Sequence, residues 1–364
     1  MTETTSVLEK DQEIITETEG SVGVIRLNRP KALNAITLDM VRFMSAALDR
    51  FEADPAVGLI LLEGAGERGL CAGGDIRGLY ESIRAGGDLG KVFWREEYIL
   101  NARLASLRKP YVAFMDGIVM GGGVGLSAHG RHRVVTERTT LAMPETGIGF
   151  FPDVGGTWLL SRAPGQLGTY YGLSGQSMNG SEAIRCGFAD TLVPSEKLKE
   201  LRDALIRLGP QATNGMVRGV LAHFSIPRPP APIEAHKPLI DAAMAHDSAA
   251  DIIAALERDA SEFAQATAKL LQTKSPTSLK VTLRLLREAK ASTSLRECLV
   301  REYGAALEIF INRDFPEGIR AAVIDKDRSP KWSPATLDEV TTEMVEAYFV
   351  PRGVDELVFP AREA

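Results

Sequence analysis

Apolar and polar positions run on two different periods along this chain. Glu13–Thr18 and Gly23–Leu27 are short runs of β-formers around Glu19-Gly20, the pattern of a hairpin. From Met40 the apolar residues Met40, Met44, Ala47, Leu48 and Phe51 recur at helical spacing; Thr37 is placed to cap that helix and Pro55 to end it. VGLILLEG then follows, apolar enough for a strand buried on both faces. Strand, helix and strand predict a βαβ unit. The rhythm recurs with a helical segment over Val92–Leu107, a strand at Tyr111–Met115, a helix opened by glycine over Gly122–Ala128 and a strand at Arg133–Thr136. Helical stretches at Thr157–Ala163, Gln166–Leu173 and Ser181–Cys186 precede a short strand near Asp190–Val193.

After His223 the character changes. SIPRPPAPIEAHKP carries five prolines and reads as a connector. Beyond it the pattern is helical: Leu279, Leu283 and Leu286 share one stripe, Val300, Tyr303, Leu307 and Phe310 another, and a last helix is expected near Leu337–Phe349. The expected organisation is a flexible lead over 1–12, an α/β core over 13–225 and a helical region over 226–364.

Composition narrows the class. Forty-two basic residues against 48 acidic give a net charge of −6, which disfavours wholesale nucleic-acid binding. No apolar run approaches a membrane helix in length. Cys71, Cys186 and Cys298 are odd in number and far apart, with neither a disulfide framework nor metal-ligand spacing. A reducing compartment fits. The polar, acidic first twenty residues lack a signal or transit pattern and the C-terminal AREA is not a peroxisomal address, so the expected location is the cytoplasm.

The candidate chemistry lies among glycines. Gly64-Ala65-Gly66-Glu67-Arg68-Gly69 fits GxGxxG, but no helix starts after it and no second strand with its acid follows, so a surface loop is the better reading and a dinucleotide site is not expected. Leu70-Cys71-Ala72-Gly73-Gly74-Asp75-Ile76 lets a backbone approach a ligand, or is a turn before a helix. Met120-Gly121-Gly122-Gly123-Val124-Gly125 opens a helix with poor helix formers; exposed N–H groups for an oxyanion and close packing on a strand explain this equally well. Glu145 in AMPETG and Asp153 in FFPDVGG are carboxylates in apolar company, a costly placement that calls for a partner or a reaction. Asp153 is also positioned to cap the helix that follows.

In this order, NRPKALNAIT, CAGGDI, MGGGVG and MPETGIGFFPDVGGT resemble the crotonase (enoyl-CoA hydratase/isomerase) superfamily over roughly residues 13–225. REEY at 95–98 and DFPEGIRAAVIDKDRSPKWSP extend the resemblance over nearly the whole chain, to the branch that hydrolyses 3-hydroxyisobutyryl-CoA in valine catabolism. The resemblance implies an α/β fold, a repeated ββα spiral with a helical C-terminal region. It also implies a backbone oxyanion hole from the amides of Gly74 and Gly122, and CoA contacts at Ala32, Leu33, Ala72, Asp75 and Ile76. Glu145 would act as general base or nucleophile, Asp153 would hold the substrate 3-hydroxyl or help orient Glu145, and Glu97 would assist with the same hydroxyl; for Glu97 a solvated helix charge beside Arg95 is the plain alternative. Arg26, Arg29, Lys31 and Arg77 are available for CoA phosphates or are ordinary surface charge. No metal or other cofactor is implied, since CoA arrives with the substrate. A homotrimer through the C-terminal helices, or their folding back on their own core, are both open. Hydratases of this superfamily carry a first catalytic glutamate where this chain has Gly125, and usually a small residue where it has Asp153. The expected function is therefore thioester hydrolysis of short 3-hydroxyacyl-CoA, with an enoyl-CoA hydratase or isomerase and a non-catalytic acyl-CoA-binding protein as the alternatives.

Overall fold

The computed structural model describes residues 12–360; the flexible lead expected over 1–12, apart from Gln12, and the AREA terminus lie outside the described residues. The hairpin forms as β1 (Ile14–Glu19) against β2 (Val22–Leu27), antiparallel. α1 (Leu38–Ala53) begins where the Thr37 hydroxyl accepts from the Met40 N–H, and its buried residues include all five of the expected stripe. β3 (Leu59–Gly64) returns parallel to β2, which closes the first βαβ unit.

The chain then alternates between two sheets. β4 (Gly69–Cys71) leads into α2 (Ile76–Arg84) and α3 (Leu89–Leu104); β5 (Tyr111–Met115) and β6 (Ile118–Met120) lead into α4 (Gly122–Ser127). β7 (His132–Val135) and β8 (Thr140–Ala142) are followed by a 3₁₀ turn at Glu145–Ile148, α5 (Gly156–Leu160) and α6 (Leu167–Ser174). β9 (Met178–Asn179), α7 (Gly180–Arg185) and β10 (Thr191–Leu192) end the spiral. The larger sheet has the order β1-β2-β3-β5-β7-β10 and the smaller β4-β6-β8-β9. Each turn therefore places one long strand in the first sheet, one short strand in the second and a helix outside, the ββα repeat. The short strands were not separable from turns by pattern, because two or three residues carry no period.

Both faces of the larger sheet are buried, as its apolar strands require. Val22, Val24, Leu59, Leu61, Val112 and Phe114 face α8 (Leu198–Ile206) and α9 (Asn214–Phe224), whose Leu201, Leu205, Val217 and Leu221 complete a separate apolar layer. Ile25, Leu27, Ile60, Leu62, Ala113 and Met115 face the main core.

The proline-rich connector leads to α10 (Lys237–Ala243), α11 (Ala249–Arg258), α12 (Glu262–Gln272), α13 (Pro276–Ala291), α14 (Leu295–Ala306) and α15 (Asp314–Ile319). Leu279, Leu283 and Leu286 are buried in the same apolar cluster as β2 and α1. α14 packs on α3 and α5, so these helices cover their own chain's core. The last expected helix shrinks to α16 (Thr342–Glu346) and one 3₁₀ turn, Ala347–Phe349. The reason is local: Thr341 adopts extended backbone and its hydroxyl caps the Met344 N–H, which starts the helix there and not at Leu337. Among the described residues no helix is long and apolar enough to cross a membrane.

Candidate active site

The two glycine-rich turns meet where the spiral brings β4 beside β6. Asn34 secures the approach: it is buried, its amide donates to the carbonyls of Ala65 (3.0 Å), Gly69 (3.2 Å) and Leu70 (3.0 Å), and its carbonyl accepts from the Arg29 N–H. Leu33 then accepts from the Ala72 N–H at 3.0 Å, and Ile36 bridges Gly73 and Asp75. These bonds fix the turn before Gly74 but leave its amide out; among the described residues neither the Gly74 nor the Gly122 N–H is given to an acceptor. Gly122 is the first residue of α4, where an N–H has no intrahelical partner and the helix dipole is positive.

A cavity of about 180 Å³ lies over these two glycines, with Ala72, Ile76, Glu97, Glu145, Asp153 and the aromatic rings of Trp94, Phe150 and Phe315 among its lining. A larger groove of about 600 Å³ lies apart from it near Ser45 and Arg103 and has none of these glycines or acids. Ala32, Leu33 and Asp75 are not in the cavity lining. Ala32 and Leu33 sit on the turn beside Ala72, and the Asp75 carboxylate caps α2 through the Gly78 N–H while pairing with Arg29 at 3.0 Å. Arg29 also pairs with Glu13, and Arg26 with Glu17 and Glu63, whereas Arg77 reaches the Val323 carbonyl at 3.3 Å.

Close approach explains the glycines of α4. A methyl built on Gly122 would stand 2.7 Å from Glu97 Oε1 and 2.8 Å from Ile36 Cδ1, and one built on Gly121 3.1 Å from Glu145 Oε1. At Gly125 it would stand 2.7 Å from Val154 Cβ and 2.9 Å from Asn101 Nδ2, so the place where a hydratase carries its first glutamate is filled by protein.

The acids are buried. Glu97 is 2% exposed, Glu145 and Asp153 6% each, so the alternative of a solvated Glu97 does not hold. Asp153 does not cap α5 either: Gly155 is the capping residue, and the carboxylate instead accepts from the Tyr98 hydroxyl at 2.7 Å. Glu97 Oε1 and Glu145 Oε2 are buried without a hydrogen-bond partner among the described residues. Burial is the main cause that raises the pKa of all three. It pushes Asp153 up to about 7 against the opposing Tyr98 bond. Glu97 and Glu145 are pushed well above the usual carboxylate range by burial and then by the charge of Asp153. None of the three forms an ion pair with a described Lys or Arg. Cys71, beneath the first turn, is buried and its thiol is pushed up to about 12, the behaviour of a small apolar residue and not of a nucleophile.

The structure gives roles that the motifs did not assign: Tyr98, the last residue of REEY, follows Glu97 directly on α3, and Phe315 of DFPEGIR lines the cavity from the helical region. Glu302, outside every motif, also comes from the helical region. Glu302 is fully buried and carried a signal: Leu299, Ala305 and Ala306, three or four residues away, make it an acid on an apolar helical stripe.

Fold and site together define a crotonase-type protein with paired backbone amides facing a cluster of acids. The chain belongs to the enoyl-CoA hydratase/isomerase family, whose model matches residues 22–349. It is 45% identical over 353 residues to the 3-hydroxyisobutyryl-CoA hydrolase, mitochondrial, of Rattus norvegicus, spanning 95% of this chain and 91% of the relative. The human protein of the same name is 45% identical over 354 residues, 96% of this chain and 91% of that one. Among solved structures, a carnitinyl-CoA dehydratase from Mycobacterium thermoresistibile superposes with a TM-score of 0.92 at 46% identity, covering 97% of this chain and all of the other. The expectation of a cytoplasmic protein is corrected by the curated relatives, whose names place them in mitochondria. Unpaired cysteines report a reducing medium and do not distinguish one reducing compartment from another.

Proposed function

We propose that this protein hydrolyses the thioester of short 3-hydroxyacyl-CoA, 3-hydroxyisobutyryl-CoA in the first place, a step of valine breakdown. The observation that carries the reading is the pairing of a buried Glu145 with a position 125 that has no room for a second glutamate. Hydration across a double bond by two glutamates then lacks one partner, although a solved relative bears a dehydratase name. Thioester cleavage needs one carboxylate and an oxyanion hole.

In this mechanism the thioester carbonyl oxygen lies between the Gly74 and Gly122 N–H groups. Attack turns it into an oxyanion, which two preorganised donors stabilise in a pocket walled by Trp94, Phe150 and Phe315. Glu145 either takes a proton from the attacking water or attacks the carbonyl itself; both routes start from its ionised form. In the first route the C–S bond breaks as Glu145 passes that proton to the leaving sulfur, so that CoA thiol and the acid are released; in the second, C–S cleavage leaves a Glu145 acyl anhydride and CoA thiolate, and water then cleaves the anhydride, which releases the acid, restores the Glu145 carboxylate and supplies the proton that the thiolate takes up. Asp153, aimed by Tyr98, and Glu97 hold the 3-hydroxyl. The cavity of about 180 Å³ is well below the 300 Å³ or so at which drug-sized ligand sites begin, which suits a short acyl group and not a long chain. CoA enters as part of the substrate, and the reaction is assigned to these side chains and amides alone. A homotrimer remains a separate expectation, read by sedimentation equilibrium.

The test is thiol release from 3-hydroxyisobutyryl-CoA by the purified protein. Free CoA should appear, and Glu145→Gln should lower kcat by at least a thousandfold. Brisk hydration of crotonyl-CoA with no thiol released would replace this reading with the hydratase one; binding without either product would leave an acyl-CoA-binding protein.

A further inference from the structure

The turn Asp153–Thr157 is strained and held from three sides. Val154, a β-branched residue, has a φ of +51°, a strained conformation that persists only where its surroundings impose it. His129 Nε2 donates to the Val154 carbonyl at 2.7 Å, and the Tyr98 hydroxyl holds the Asp153 carboxylate. The third support comes from a distant part of the sequence. Glu302 on α14 accepts the Gly155 N–H on Oε2 at 2.7 Å, the Thr157 N–H on Oε1 at 3.1 Å, and the Thr157 hydroxyl on the same oxygen. The first N–H groups of α5 are thus satisfied by a side chain 145 or more residues away, because the local capping position is a glycine with no side chain to offer. Tyr303, next on α14, packs edge-on against Tyr98, so the same helix also braces the second support.

We infer that Glu302 is a positioning residue for substrate recognition: its carboxylate locks the Val154–Gly155 turn and thereby fixes the aim of Asp153 at the substrate 3-hydroxyl. The inference rests on the reading of Asp153 given above. It makes the helical C-terminal region part of the active site, and it explains why a fourth buried acid is tolerated beside three others.

A purely structural cap would lower activity on every substrate alike, so the discriminating readout is selectivity. The kcat/KM of the parent, Glu302→Gln and Asp153→Asn is compared on 3-hydroxyisobutyryl-CoA and on isobutyryl-CoA, which lacks only the hydroxyl. The parent should prefer the hydroxylated ester. Glu302→Gln should reduce that preference about tenfold or more, most of the loss falling on the hydroxylated ester, and Asp153→Asn should do the same. If Glu302→Gln keeps the parent's preference, or loses activity equally on both esters, Glu302 is only a structural cap and the inference is wrong. If Glu302→Gln does not fold, Thr157→Val removes one of the three donors and should lower the preference severalfold; an unchanged preference overturns the inference. A parent that does not distinguish the two esters removes the role of Asp153 itself, and this inference with it.

Discussion

Gly122→Ala is the perturbation that probes the oxyanion hole most economically. The added methyl would lie 2.7 Å from Glu97 Oε1, 2.8 Å from Ile36 Cδ1 and 3.5 Å from the Gly74 nitrogen. Contacts of the first two lengths are several tenths of an ångström short of ordinary van der Waals separation, so either Glu97 or the start of α4 must move. The methyl also comes within 3.5 Å of the other donor's nitrogen. Loss of one oxyanion donor costs about 10²–10³ in kcat, roughly 3–4 kcal/mol. Misplacing a reacting group by about 1 Å carries a penalty of similar size. The expected result in a thiol-release assay is a kcat lower by about 10²–10³, with a smaller change in KM. Thermal denaturation should show a folded protein, since alanine is a better helix former than glycine by about 1 kcal/mol and offsets part of the crowding. Gly219→Ala on α9 is the control, because nothing lies within 4 Å of its added methyl. A Gly122→Ala enzyme within threefold of the parent would refute the assignment of the hole to this glycine.

Other outcomes follow from the same geometry. Gly125→Glu should not create a hydratase: the site is filled by Val154 and Asn101, so the variant should lose stability by about 1–3 kcal/mol or more and still fail to hydrate crotonyl-CoA. Because burial raises Glu145 well above the usual range and its ionised form is the reactive one, kcat should rise with pH into the neutral-to-alkaline range; a profile flat from about pH 5 to 9 would count against that role. The same burial costs stability. For Asp153, whose folded value is about 7, stabilisation of the folded state relative to an ordinary aspartate is full below the unfolded value of 3.8 and is lost as pH rises through about 7. Asp153→Asn should therefore gain thermal stability relative to the parent as the pH is raised from about 4 to 8, while losing selectivity for the hydroxyl; equal melting differences at both pH values would contradict it.

Local signals were enough for the hairpin, α1, the apolar strands and the glycine-opened α4, because each rests on a period or a cap contained within a few residues. Burial of Glu145 and Asp153 was also legible, as acids among Met143, Phe150 and Phe151. The sequence could not decide what Asp153 binds. An aspartate two residues before Gly155-Gly156 reads as a cap, and only the arrival of Tyr98 from α3, 55 residues earlier, shows otherwise. Glu302 could be seen as an acid on an apolar stripe, but what it binds was hidden for the same reason. Its partners, Gly155 and Thr157, are backbone groups whose need for an acceptor appears only when α5 starts without a capping side chain. The steric exclusion at Gly125 likewise depends on Val154 folding over it. What the sequence lacked in each case was a contact between segments far apart along the chain.

The central claim, that water adds to a thioester carbon and not to a double bond, is tested most directly by following the oxygen of the water. The purified protein is given 3-hydroxyisobutyryl-CoA, and separately crotonyl-CoA, in ¹⁸O-water, and the products are read by mass spectrometry. The expected result is label in the carboxyl group of the released hydroxy acid together with free CoA. Label at the 3-position of an intact CoA ester, with the thioester uncleaved, would contradict it.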